Sequence, residues 1–256
     1  MEKVLVTDPF VPDTFHASKP LYAALVPYEI FKGSHFERRF VTPFGGVWEK
    51  LAVAVGTAYH GNCKQGAVVE GTIGEESLRR IQEVLNNLEH RVKGLPKHKP
   101  DWNTELEYIL AGGGEPIPVS VTCDILIKSS RTEKVYAFEL KAPLPNSDQT
   151  KVSKEKMFKL LAMNGHPVSE AFYALVYNPY GKKEDYAWSF PKRWFNMTSD
   201  SSVLIGEEFW DFIGGKGSYR AFIDEINKLG KNYKERIYRE YLGIEPPQGF
   251  DNDTLK

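Results

Sequence analysis

The chain has 256 residues, 33 Lys and Arg against 34 Asp and Glu, a formal net charge of −1, and 41% hydrophobic content. That length suits one large domain, or a domain with a helical extension; no apolar run approaches a membrane span, and the even charge balance argues against indiscriminate coating of a polyanion. Two cysteines, Cys63 and Cys123, cannot build a disulfide framework, and the opening M-E-K-V-L-V-T-D-P-F lacks the apolar core of a signal peptide, so a reduced, intracellular setting is expected.

Residues 1–35 are rich in Pro and aromatics and read as a largely irregular arm with short helical pieces around Leu21 to Phe31. Val47 to Tyr59 favours a buried helix. The segment after it, broken by Gly66, Gly71 and Gly74, reads as a second helix. If that helix ran unbroken, Glu70 would lie on the side of Leu78 and Ile81. From Glu75 to Val92 the apolar residues Leu78, Ile81, Leu85, Leu88 and Val92 recur at three- and four-residue steps, the stripe of an amphipathic helix, and Gly94 and Pro96 stop it. Residues 93–118 form a connection with a helical turn over Thr104 to Leu110.

Next come two segments of period two, the strand signature. In the first, Val119, Val121, Cys123, Ile125 and Ile127 share one face and Ser120, Thr122, Asp124, Leu126 and Lys128 the other. In the second, Tyr136, Phe138 and Leu140 alternate with Ala137, Glu139 and Lys141. The short polar link Ser129 to Lys134 makes the pair an antiparallel hairpin. With the turn centred on Arg131-Thr132, Asp124 falls opposite Glu139 and Lys141 follows two residues on, all on one face.

The chain continues with a proline-containing loop, Ala142 to Lys151, and a helix capped by Ser153 that buries Met157, Leu160 and Leu161, exposes Lys154, Lys156 and Lys159, and ends at Gly165 and Pro167. Ala171 to Tyr177 is an apolar strand of the kind buried on both faces. The strand–helix–strand order sets it parallel to the strand bearing Glu139. Tyr186 to Phe190 reads as an edge strand, Glu207 to Ile213 as a short helix, Ser218 to Leu242 as a long one, and the stretch after Pro246 as a flexible tail.

The hairpin carries the chemistry. Directly opposed side chains have Cβ atoms about 5 Å apart, so two carboxylates there share a proton or hold a cation. Oxygen ligands suit Mg²⁺, and an adjacent lysine can orient or deprotonate a water on the metal. Asp followed by Glu-x-Lys on the neighbouring strand is a metal-dependent phosphodiesterase layout; the structural alternative is a salt-bridge ladder on a solvated strand.

The order helix, strands, Asp, turn, Glu-x-Lys, helix, strand resembles the core of the PD-(D/E)xK nuclease superfamily. More closely, the chain resembles the TdeIII family of type II restriction endonucleases. The likeness rests on C-D-I-L-I-K (Cys123 to Lys128), A-F-E-L-K-A-P (Ala137 to Pro143), Y-N-P-Y-G (Tyr177 to Gly181) and G-E-E-F-W-D-F-I (Gly206 to Ile213). It extends over most of the chain and is weakest in the first 35 residues. Cys123 stands where the pattern has proline, a position without metal chemistry. The resemblance implies an α/β fold, a restriction-endonuclease-like core of mixed sheet flanked by helices with helical additions at both ends. It implies Asp124 and Glu139 as Mg²⁺ ligands and Lys141 as the water-orienting residue. It further implies a cytoplasmic prokaryotic homodimer that cuts double-stranded DNA at a short palindrome of the form GGNCC, leaving 5′-phosphate ends.

Such sites often add a glutamate from the first core helix, which makes Glu70 a fourth candidate, in competition with Glu75 and Glu76. Asn146, Gln149, Thr150 and Lys151 leave the Glu-x-Lys strand on the site's side and are candidates for base and phosphate contacts. Lys182, Lys183, Lys192 and Arg193 form a second basic cluster; each of these residues has solvated surface as its alternative. The six histidines show no metal-ligand spacing, and G-G-K-G-S at Gly214 to Ser218 lacks the phosphate-loop frame. The expected division is 1–60 as arm and helix for packing or dimerisation, 61–245 as catalytic domain and 246–256 as tail. Two other readings stay open: a structure-selective repair nuclease, and a DNA-binding module without catalysis.

Overall fold

The computed structural model describes residues 2–90 and 98–251. The chain forms two units: residues 2–47 with 220–251, and residues 48–219. The C-terminal helix therefore groups with the arm, unlike the division read from sequence. Val92, Gly94 and Pro96, and the end of the tail, lie outside the described residues.

The first unit is more helical than its prolines suggest. Pro12 and Pro20 occupy first-turn positions, where the missing N–H costs nothing, and open α1 (Pro12–Ser18) and α2 (Pro20–Leu25). Then come α3 (Tyr28–Val41) and the start of α4 (Phe44–His60). The unit closes with most of α9 (Ser218–Arg236) and a π-helical turn over Ile237–Leu242. Rings hold it together: Phe15 lies 4.0 Å from Phe31 and Phe36 lies 4.5 Å from Tyr241. The Tyr241 hydroxyl donates to the Lys32 carbonyl at 2.8 Å.

The second unit is a five-stranded sheet, in the order β1 (Gly61–Gly74), β2 (Pro116–Ser129), β3 (Val135–Lys141), β4 (Glu170–Leu175) and β5 (Val203–Ile205). β1, β2 and β3 pair antiparallel, and β3, β4 and β5 pair parallel. On one face lie α5 (Glu75–Glu89), α6 (Trp102–Leu110) and α7 (Ser147–Ala162), whose Ile81, Trp102 and Phe158 join Ala137, Tyr173 and Leu175 in one buried cluster. On the other, Phe138 and Phe172 meet Phe209 and Phe212 of α8 (Glu207–Gly214). A Cβ at Gly56 of α4 would sit 3.2 Å from Cys63 Sγ and 3.3 Å from Ile127, so a glycine there permits close helix–sheet approach.

Four sequence expectations change. Residues 61–74 are a strand, not a helix: their glycines weaken a helix more than they weaken this edge strand, whose buried residues are Ala67, Val69 and Ile73. α7 starts six residues before Ser153, capped by Asn146, whose Oδ1 accepts the Gln149 N–H at 2.8 Å. Lys154 on α7 is wholly buried, not exposed. Tyr186 to Phe190 is not a strand. Tyr186 and Trp188 instead donate to the carbonyls of Pro143 and Pro145, at 2.8 and 2.9 Å, and strap down the loop after β3. The edge strand is β5.

Candidate active site

The hairpin register is the predicted one: Ile125 pairs with Phe138 and Lys128 with Val135, and the Ser129 N–H closes the turn on the Lys134 carbonyl at 2.9 Å. Extended by one residue, this register sets Asp124 against Glu139. There the ladder stops. Opposite Asp124 on the other side, Gly66 also drops out of the β1–β2 pairing, with φ of +59°, and the alternation of β2 changes phase. Val121 and Cys123 belong to the buried cluster that holds Leu126 and Ala137, whereas Ile125 and Ile127, equally buried, do not. The five odd-numbered residues of β2 therefore do not share one face.

The break is what aims Asp124. In an antiparallel ladder closed at Ser129 and Lys134, hydrogen-bonded pairs recur every second residue, and the N–H of Leu140 would meet Cys123. Instead it donates to Asp124 Oδ2 at 2.8 Å. The same oxygen takes Lys141 Nζ at 2.7 Å. Lys141 Nζ also reaches Glu139 Oε2 at 3.3 Å and the Leu140 carbonyl at 3.2 Å. One ammonium thus sits among three oxygens, two from the consecutive β3 residues Glu139 and Leu140 and one from their β2 neighbour Asp124.

Glu139 is 1% exposed. Burial pushes its pKa above the ordinary glutamate range, against the pull of Lys141 and Lys156. For Lys141, burial acts to lower the pKa, but Glu139 and Asp124 beside it prevail and hold the ammonium above the ordinary lysine range. α7 supplies two more partners to Glu139: Lys156 Nζ donates to Oε1 at 2.8 Å and Ser153 Oγ to Oε2 at 3.1 Å. Sequence reasoning missed both; with the helix started correctly at Ser147, their i,i+3 spacing puts them on one face beneath β3. An open groove of about 390 Å³ runs over the site, lined by Glu139, Lys141, Gln149, Val152, Ser153 and Lys156 among others.

No group of three or more His, Cys, Asp or Glu able to hold a metal occurs among the described residues. The oxygen set is nevertheless one a hard cation accepts: two carboxylates and a carbonyl, already gathered round a positive charge.

The other sequence candidates scatter. Glu70 lies on exposed β1, paired with Ser120, four residues along β2 from Asp124, or roughly 13 Å at strand rise; the helix that was to carry it does not form. Glu76 is engaged by Arg79 and Arg80. Thr150 is fully buried, its hydroxyl bonded to the Asn146 carbonyl and the Tyr173 hydroxyl, so it cannot reach DNA. Lys183 donates to the Val203 carbonyl at 2.6 Å and pairs with Glu208 at 3.0 Å, pinning its loop to β5 and α8. Lys151 is ion-paired with Glu89. Asn146, Gln149, Lys182, Lys192 and Arg193 are exposed, and of these Gln149 lines the groove.

A family model described as type II restriction endonuclease, HinfI, matches residues 1–230. The type II restriction enzyme HgiCII of Herpetosiphon aurantiacus is 24% identical over 227 residues, covering 88% of this chain and 82% of the relative. HgiBI of the same organism is 25% identical over 235 residues, covering 88% and 81%. The type II restriction enzyme MjaII of Methanocaldococcus jannaschii is 26% identical over 172 residues, covering 62% and 45%. No solved structure gives a significant match. The family matched is HinfI, and it shares with the TdeIII resemblance the class of type II restriction enzyme.

Proposed function

The chain belongs to the HinfI family of type II restriction endonucleases and is a site-specific deoxyribonuclease; from that premise we propose that it has a PD-(D/E)xK site in which Asp124 and Glu139 hold Mg²⁺ and Lys141 serves the attacking water. The observation that carries the reading is the ring of three oxygens, Asp124 Oδ2, Glu139 Oε2 and Leu140 O, around one cation, Lys141 Nζ. When bound, Mg²⁺ supplies Lewis acidity at the scissile phosphate and acidifies water. Lys141 moves off the carboxylates and orients the attacking water. Glu139, held from below by α7, presents Oε2. Gln149, exposed and lining the groove, contacts the DNA in this reading. In-line hydrolysis of the phosphodiester leaves a 5′-phosphate and a 3′-hydroxyl.

The substrate is double-stranded DNA with a short palindrome, GGNCC-like, read by a homodimer that residues 1–60 help to form, in a prokaryotic cytoplasm. The test is a plasmid digest with Mg²⁺ and with chelator, followed by mapping of the ends. Discrete fragments with phosphorylated 5′ ends, seen only with metal, are expected. Preference for branched or damaged DNA would make it a structure-selective nuclease, and metal-independent binding without cutting a bare binding module.

A further inference from the structure

We infer that Lys156, with Ser153, is a positioning residue for Glu139: from α7 it holds one carboxylate oxygen so that the other faces Asp124. The inference rests on the proposed Asp124–Glu139 cation site. Glu139 Oε1 is taken by Lys156 Nζ at 2.8 Å, while Oε2 is shared between Lys141 at 3.3 Å and Ser153 at 3.1 Å. Lys141 already contacts Asp124 at the shorter distance of 2.7 Å, so α7 supplies the contacts special to Glu139.

α7 is itself fixed on both sides of this pair. One turn before Ser153, the buried Thr150 hydroxyl bonds the Tyr173 hydroxyl at 3.0 Å, and Tyr173 is the β4 neighbour of Glu139. Between Ser153 and Lys156, buried Lys154 pairs with Glu105 of α6 and donates to the Trp194 carbonyl. A carboxylate clamped at one oxygen by a charge-assisted bond has a defined second oxygen, which is what a ligand that must meet Asp124 across the hairpin break requires. Lys156, 29% exposed at its side chain, is one of the residues that line the groove.

The test measures Mn²⁺ binding to the full chain without DNA, together with steady-state cutting and metal-free DNA binding over a salt series. Mn²⁺ takes the same oxygen ligands. Lys156→Met is expected to weaken Mn²⁺ by about fivefold or more and to lower kcat by about tenfold or more with KM little changed. Lys156→Arg should restore part of both, and Lys159→Met, which loses its half-buried pair with Glu155, should leave them alone. The sign of the Mn²⁺ change is decisive: a lysine acting only as a neighbouring positive charge would, on removal, tighten the cation, and tighter or unchanged binding overturns the inference. So does a weaker DNA complex whose salt slope falls by about one, the mark of a lost phosphate contact. If the parent chain neither cuts DNA nor binds Mn²⁺ through Asp124 and Glu139, the cation site fails and this inference with it. If the parent does both and Lys156→Met behaves like it, the positioning role alone fails.

Discussion

Asp124 accepts the backbone N–H of Leu140 at 2.8 Å, taking the place that the β2–β3 ladder would give to Cys123. One carboxylate therefore does two jobs. It satisfies a strand donor where the ladder breaks, and it brings a negative oxygen to the point where Glu139 and Lys141 meet.

Substitution can separate the two jobs. Asp124→Asn keeps an oxygen acceptor for Leu140 but loses the charge; Asp124→Ala loses both. A strand N–H left without a partner in a part-buried site costs about 1–3 kcal/mol. Asp124→Ala should unfold in urea with stability lower than Asp124→Asn by roughly that amount, while both lose cutting on plasmid DNA. Equal stability of the two variants would mean that Leu140 finds another acceptor. Cutting by Asp124→Asn would remove the carboxylate from the cation site.

Lys141 occupies the oxygens proposed to hold a divalent ion, so on that proposal the lysine and the metal would compete. With its charge removed in Lys141→Met, Asp124 and Glu139 lose the cation they share, and Glu139 keeps only its pair with Lys156. At mildly alkaline pH, Mn²⁺ should bind about tenfold more tightly, about 1.4 kcal/mol, while cutting falls by about 10²–10⁴-fold, the usual contribution of a positioned acid–base group. Calorimetric titration and a digest time course check the two halves. Weaker metal binding would mean that Lys141 organises the oxygens instead of occupying their place.

The hairpin was legible in the sequence because its signals are local: period-two alternation, a six-residue polar turn, and charges at fixed offsets from it. The pairing of β3 with β4 was legible because apolar run, helix and apolar run allow few arrangements. What stayed hidden depends on tertiary context. Nothing in K-Q-G-A-V-V-E-G states that Gly66 leaves the ladder opposite Asp124 and shifts the phase of β2. Thr150 looked like a loop residue because the helix start was placed at Ser153; with Asn146 as the cap, it lies in the first turn, against Tyr173. Lys154 and Lys183 resemble surface lysines in sequence, yet each donates to a backbone carbonyl far along the chain, that of Trp194 and that of Val203. Charge identifies residues that can meet DNA, but burial decides which of them are free to do so.

Lys154 and Glu105 make a buried ion pair between α7 and α6, and its pH response follows from burial. The ammonium sits 4.9 Å from the centre of the Phe195 ring and is 0% exposed. Burial holds Lys154 below the ordinary lysine range and Glu105 above the ordinary glutamate value of 4.5, each against the other's pull, with Asp200 and Asp101 also facing the ammonium. A carboxyl whose folded pKa lies above its unfolded one lends stability below the unfolded value and loses it as pH rises through the folded value. Lys154→Met removes the cation and leaves Glu105 to be buried charged or protonated. At neutral pH this should cost about 3–5 kcal/mol, the range for breaking a buried pair. As pH falls toward 4.5 the carboxyl is increasingly protonated in the folded state, so the deficit relative to the parent should shrink. Lys154→Met with Glu105→Leu, which removes both charges, should recover most of the lost stability and show no such pH trend. Urea unfolding of the three proteins across that range reads all of this, and a Lys154→Met deficit that stays constant with pH would show that Glu105 keeps its charge without the lysine.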